Sequence, residues 1–168
     1  MKVLVAYMSK TGNTKKVAEA IFEEIHEEKE RKPIAEVDTI DGYNIAFLGF
    51  PVQGSGPDKK AVKFLEKHCI HGRNVVLFIT HAAPEGVKDL LPKLEKFRQA
   101  ACGANIIDMF DCQGQLAGGV KFMMSVMPDA NLRRYAKEDT SKGQPDAARL
   151  DRARAFSRKV MKKVHAIA

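Results

Sequence analysis

The stretch that most constrains this chain is Met8-Ser9-Lys10-Thr11-Gly12-Asn13-Thr14. It lies between the apolar run Val3-Leu4-Val5-Ala6-Tyr7 and the spaced pattern Val17-Ala18, Ile21-Phe22, Ile25. The first run reads as a buried strand and the second as an amphipathic helix. A helix N-terminus leaves backbone N–H groups unpaired, and the helix dipole favours an anion beside them. Ser9, Thr11 and Thr14 add hydroxyl donors, Gly12 lets the backbone approach closely, and Asn13 tolerates a left-handed turn. These residues predict a phosphate site directly after the first strand. The competing reading is a polar turn that merely caps a helix. The Walker pattern is absent, and a lone glycine does not make a dinucleotide fingerprint.

The pattern Ser-x-Thr-Gly-x-Thr at this place resembles the phosphate loop of flavodoxins, which holds the phosphate of FMN. The resemblance extends over essentially the whole chain, with Gly49-Phe50-Pro51-Val52 as a second, less specific match. Cys112-Gln113-Gly114-Gln115-Leu116 is similar to a Cys-x-Gly-x-Leu segment in the flavodoxin-domain subgroup that includes menaquinone-dependent protoporphyrinogen oxidases. The resemblance implies FMN as cofactor, held by three loops. Ser9, Lys10, Thr11, Gly12, Asn13 and Thr14 would take the phosphate. Pro51, Val52, Gln53, Gly54, Ser55 and Gly56 would face the flavin ring, where Gly54 or Gly56 could reorient as the ring gains a proton. Thr80, His81, Ala82, Ala83 and Gly86 would close the other side. Gln113 and Gly114 would border the pocket.

The rest of the chain alternates strands and helices. The first helix is expected from about Asn13 to Lys29, with the charged run Glu27–Lys32 closed by Pro33 and an outer strand at Ile34–Val37. Asn44–Phe50 and Asn74–Thr80 are apolar runs suited to strands covered on both faces. Asp58 can cap a second helix with Val62, Leu65 and Cys69 inward. A third helix is expected over Val87–Ala101, kinked at Pro92 or starting near Leu91. Ala104–Phe110 gives a fifth strand, and residues 113–145 form a long connection with a short apolar helix ended by Pro128-Asp129. Pro145-Asp146 opens a final helix whose inward stripe is Leu150, Ala153, Phe156, Val160, Met161 and Val164. This alternation specifies an α/β sheet in one domain over residues 1–168. The resemblance adds the doubly wound flavodoxin-like order 2-1-3-4-5, a five-stranded parallel sheet in a three-layer sandwich.

The departures from ordinary flavodoxins bear on the ring. The chain has no Trp, and neither ring loop holds a Tyr, so Pro51, Val52, Ala82 and Pro84, or Phe122 and Tyr135, are the candidates to pack on it. His81 could donate to the flavin or serve only as a polar contact. Cys69, Cys102 and Cys112 are odd in number and lack metal spacing, and His68 and His71 have no second cluster, so no metal is expected. Reduced thiols, and the lack of an apolar segment long enough for a signal or a membrane span, give a cytoplasmic expectation.

The net charge is +7, and residues 119–168 hold 12 Lys/Arg against 5 Asp/Glu, so the whole excess lies there. Such a segment suits a redox partner protein with an acidic docking face, or is a solvated helix face; nucleic acid is the least favoured partner. The expected function is electron transfer to or from a partner enzyme. The alternative is a flavin oxidoreductase acting directly on a quinone, a tetrapyrrole or a similar conjugated substrate.

Overall fold

The computed structural model describes residues 1–166. Its five parallel strands are β1 (Lys2–Tyr7), β2 (Glu28–Pro33), β3 (Ile45–Pro51), β4 (Asn74–His81) and β5 (Asn105–Gln113), hydrogen-bonded in the order β2-β1-β3-β4-β5. Alternation along the strands divides the core. Val3, Val5, Phe47, Val76 and Phe78 meet α1 (Asn13–Glu23) and α6 (Ala147–His165) through Val17, Ile21, Val160 and Val164. Leu4, Ala6, Leu48, Phe50, Leu77 and Ile79 face the other way, toward Phe64 and Leu65 of α2 (Lys59–His68) and Phe97 of α3 (Leu91–Ala100). Successive side chains on a strand point to opposite faces, so near-continuous apolar runs demand helices on both sides. The result is the expected doubly wound sandwich. The central pair β1 and β3 carries the switch in strand order, which brings their carboxyl ends together.

The second strand is a correction. Helix α1 stops at Glu23, the charged run Glu28–Pro33 is β2, and Ile34–Glu36 forms a single 3-10 turn. An edge strand tolerates charge because its outer side stays in water, and charge there discourages pairing with another chain. The charges also pair locally: Glu30 receives Lys2 at 2.8 Å and Lys32 at 2.5 Å, and Arg31 meets Glu19 at 2.9 Å. Lys29 turns its ammonium to the carbonyls of Phe22 and Ile25 at 2.8 and 2.7 Å, which closes the end of α1.

Other boundaries follow equally local rules, and the start of α3 at Leu91 is one of the two outcomes the sequence allowed. Helix α3 begins at Leu91, after a 3-10 turn at Lys88–Leu90, with Pro92 in the first turn where no N–H is needed. Asp58 caps α2 through the Ala61 N–H; Leu65 and Cys69 are buried as expected, whereas Val62 is only half-buried and Ala61, Phe64 and His68 complete the inward face. Strand β5 runs three residues past Phe110 because Thr80 pairs with Cys112 and His81 with Gln113. The long connection holds α4 (Gly118–Val126) and a helix the sequence reading did not find, α5 (Ala130–Lys137), capped by Asp129. Asp146 caps α6 through the Arg149 N–H. Among the described residues no helix is long and apolar enough to cross a membrane.

Candidate functional site

The first loop leaves β1 at Tyr7 and enters α1 through Gly12, whose φ of +91° is a left-handed turn that a side chain would strain. Among the described residues no side chain caps α1. Ser9 Oγ accepts from the Gly12 N–H at 3.1 Å, and the first-turn N–H groups of Asn13, Thr14 and Lys15 have no acceptor among the described residues. Thr11 is exposed beside them. With no side-chain acceptor on them, those donors are available to an anion.

Each flank of this loop is tied to a neighbour. Lys10 Nζ donates to Gln53 Oε1 at 2.8 Å and lies 3.7 Å from Asp58, joining the first loop to the second. Asn13 Nδ2 donates to the Gln115 carbonyl at 2.8 Å and to Thr11 Oγ1 at 3.2 Å. Gly114 lies so close that an added Cβ would stand 2.9 Å from the Asn13 side chain. The second loop turns at Gly54 (φ +61°) and Ser55, with Gln53 and Gly56 exchanging backbone hydrogen bonds. Its Val52 N–H donates to the Thr80 carbonyl at 2.8 Å, so the loop hangs from β4. Pro51, Val52 and Gln53 are half-buried, Gly54 and Ser55 are exposed, and Gly56 is buried.

The third loop is held from beneath. His81 is 4% exposed, with Nδ1 2.8 Å from the Ala83 carbonyl oxygen and Nε2 3.1 Å from Asp111 Oδ2. Both ring nitrogens are therefore engaged within the fold. Gln113 Nε2 donates to the Ala82 carbonyl at 2.9 Å and to Thr140 Oγ1 at 3.1 Å. Glu85 accepts from Gln113 N–H, from Arg149 and from Arg152, the last two at 2.9 and 2.6 Å. Burial works to raise the Glu85 carboxyl, but the Gln113 N–H and the two guanidinium groups outweigh it and hold it below the usual range. Gly86 turns at φ +77°, and Ala82 and Ala83 are half-buried.

The three loops thus meet at the carboxyl edge of the sheet, but their residues divide into two kinds. Ser9, Lys10, Thr11, Gly12, Asn13, Pro51, Val52, Gln53, Gly54, Ser55, Ala82, Ala83 and Gly86 lie at least partly at the surface of that edge. Thr14, Thr80, His81 and Gln113 are buried, and their polar atoms join one loop to the next. Glu85, Asp111, Arg149 and the Gln115 carbonyl belong to this scaffold and escaped the sequence reading. Nothing in their local pattern marks them, because each partner lies on another element. Cys112 is fully buried, and burial pushes its thiol up to about 12, so it is a packing residue. No cluster of three metal-ligating side chains forms among the described residues.

The family model described as Flavodoxin domain matches residues 4–158. A protein from Clostridioides difficile (strain CD3), the flavodoxin-like domain-containing protein BilS, is 36% identical over 172 residues, covering 96% of this chain and 97% of its own. A flavodoxin from the domain Archaea superposes with a TM-score of 0.63 at 17% identity, covering 98% of this chain and 99% of its own. A flavoprotein from Lactobacillus acidophilus NCFM, solved in complex with FMN, gives a TM-score of 0.54 at 23% identity, covering 66% of this chain and 92% of its own.

Proposed function

The chain belongs to the flavodoxin domain family, and we propose that it binds FMN and passes electrons to or from a partner redox enzyme. The observation that carries this is the uncapped start of α1, with Gly12 in a left-handed turn and Thr11 exposed, at the topological switch of the sheet. The phosphate would lie against the N–H groups of Asn13, Thr14 and Lys15 and the hydroxyls of Ser9 and Thr11. The second and third loops would flank the ring through Pro51, Val52, Ala82 and Ala83. Bound there, the flavin supplies the electron chemistry.

The protein side of the site orients and shields. The surface residues of the second and third loops are mostly backbone, apolar or amide groups, and His81 is committed to Asp111 and Ala83. That composition suits a carrier better than an acid–base catalyst. The Cys112–Leu116 segment resembles one in the flavodoxin domains of menaquinone-dependent protoporphyrinogen oxidases, and its Gly114 presses on Asn13 and borders the first loop. Three unbridged thiols suit a reducing cytoplasm. The partner is an oxidoreductase with an acidic docking face.

Titration of the purified chain with FMN and with riboflavin tests the reading. FMN should bind far more tightly, because charge-assisted hydrogen bonds to phosphate contribute about 1.5–3 kcal/mol each. Equal affinities would refute it. Unaided turnover of NAD(P)H with a quinone would replace the carrier by an enzyme.

A further inference from the structure

The charge on the last third of the chain resolves into two populations. On α6 five of the seven Lys and Arg side chains pair with carboxylates, Lys163 turns to the Ile107 carbonyl, and Lys162 has no carboxylate partner among the described residues. Arg154 meets Glu23 at 2.7 Å, Arg158 meets Glu24 at 2.7 Å, Lys159 meets Asp108 at 3.0 Å, and Arg149 and Arg152 share Glu85. On the α4–α5 hairpin, Arg133, Arg134 and Lys137, with Lys142 just after it, have no carboxylate partner among the described residues. Arg133 instead donates to the carbonyls of Met127 and Pro128, which leaves its charge uncompensated.

The hairpin also carries an apolar face that nothing among the described residues covers. Helix α4 has no buried residue and packs chiefly against α5. Phe122, Met123 and Val126 fall on one face at helical spacing and are 69%, 54% and 64% exposed. Three large apolar side chains side by side on a surface mark an interaction site rather than ordinary scatter. The hairpin is nevertheless firmly placed. Its base is fixed by Leu116 N–H to Ser141 Oγ at 2.8 Å, Gln115 N–H to the Gln144 carbonyl at 3.0 Å, and Lys121 to Asp139 at 2.9 Å. Gln113, which holds Ala82 of the third loop, also donates to Thr140 at the foot of the hairpin. The apolar face and the flavin loops therefore share one edge and one set of anchors.

We propose that the α4–α5 hairpin is the docking element for the redox partner, inserting Phe122, Met123 and Val126 into an apolar groove rimmed by acidic residues. This rests on the FMN-carrier reading for the identity of the partner as an oxidoreductase. Uncompensated arginines on α5, the helix packed against α4, call for a partner of opposite charge. Anchors buried at the centre would set affinity while the rim sets encounter rate and register. The methionines allow the face to repack against a groove of different shape.

The test places a photo-crosslinking amino acid at position 122 of the full-length chain in its native cell. The adduct is identified, the captured protein is purified, and its affinity is measured with and without FMN. The expected result is an oxidoreductase whose binding weakens about tenfold or more for Met123→Ser with Val126→Ser, and also for Arg133→Glu with Arg134→Glu. Its electron exchange with the FMN-loaded chain should slow as salt rises, while FMN affinity and melting temperature stay as in the wild type. The proposal is overturned by any of four outcomes. These are no adduct, an adduct with a second copy of the chain, co-sedimentation with phosphatidylglycerol vesicles lost in the arginine variant, or weaker FMN binding when Phe122 is changed. Failure to bind FMN at all overturns the carrier reading separately, since hairpin-dependent affinity for the captured protein is measured without flavin.

Discussion

The hydroxyls of Thr14 and Thr80 lie 2.8 Å apart in a buried pair, 1% and 2% exposed, joining the start of α1 to the end of β4. Thr14 was expected to reach a phosphate with its hydroxyl, and in this structure that group is turned inward. Removing either hydroxyl strands the other in the core, at a cost of about 1–3 kcal/mol. Thr14→Ala and Thr80→Ala should therefore each lower melting temperature, and the double variant should cost less than their sum. Thr11→Ala, on the exposed rim, should leave melting unchanged and weaken FMN. A thermal-melt cycle paired with FMN titrations checks both statements; additive losses would dissolve the pair.

Gly114 and Asn13 are in contact only because Gly114 has no side chain, the Cβ it lacks falling 2.9 Å from the Asn13 side chain. Gly114→Ala should push Asn13 off the Gln115 carbonyl and tilt the first loop. We expect a loss of about 1–3 kcal/mol in stability from overpacking, with a further loss of FMN affinity. Gly118→Ala, with open space around its Cβ, is the control. Melting curves indistinguishable from wild type for Gly114→Ala would show that the contact yields.

Of the three thiols, Cys102 is exposed while Cys69 and Cys112 are buried, and burial pushes both buried groups up to about 12. Alkylation at pH 8 should label one thiol per chain, at Cys102, and reach the others only when the protein unfolds. Peptide mass mapping reads this directly. Rapid labelling of Cys112 in the native protein would mean that β5 opens locally.

Glu30 on the edge strand is held down to about 2 by hydrogen bonds from Lys2, Lys32 and Tyr43, against an ordinary value of 4.5. A carboxyl depressed in the folded state stabilises it above the unfolded pKa, and that contribution fades as pH falls from about 4.5 through about 2. The wild type should lose stability over that window more steeply than Glu30→Gln. Lys2 and Lys32 both remain partly open to water, so the difference should shrink at high salt. Parallel pH dependence for the two proteins would remove Glu30 from the acid response.

The first loop, the central strands and the layer arrangement were legible because they rest on local rules. Apolar runs covered on both faces specify β1, β3 and β4, and the hydroxyl-rich turn before Val17 announces the start of α1. Capping residues announced α2 and α6, since Asp58 and Asp146 act within three residues of themselves. Such signals need no knowledge of the rest of the chain.

Strand β2 was hidden because its reason is not local. Glu28–Pro33 has no apolar alternation, and its place is set by pairing with β1 and by contacts with Lys2, Glu19 and the Phe22 carbonyl of α1. The roles of Thr14, His81 and Gln113 were likewise decided by partners 66, 30 and 27 residues away: Thr80, Asp111 and Thr140. Sequence determined which residues gather at the carboxyl edge of the sheet. Tertiary structure decided which of them face outward and which tie the loops together, because a buried polar group must find its partner wherever the fold brings one within 3 Å or so. It also decided which cations are paired, since Arg154, Arg158 and Lys159 of α6 lie against Glu23, Glu24 and Asp108, while Arg133, Arg134 and Lys137 of the hairpin meet no carboxylate among the described residues.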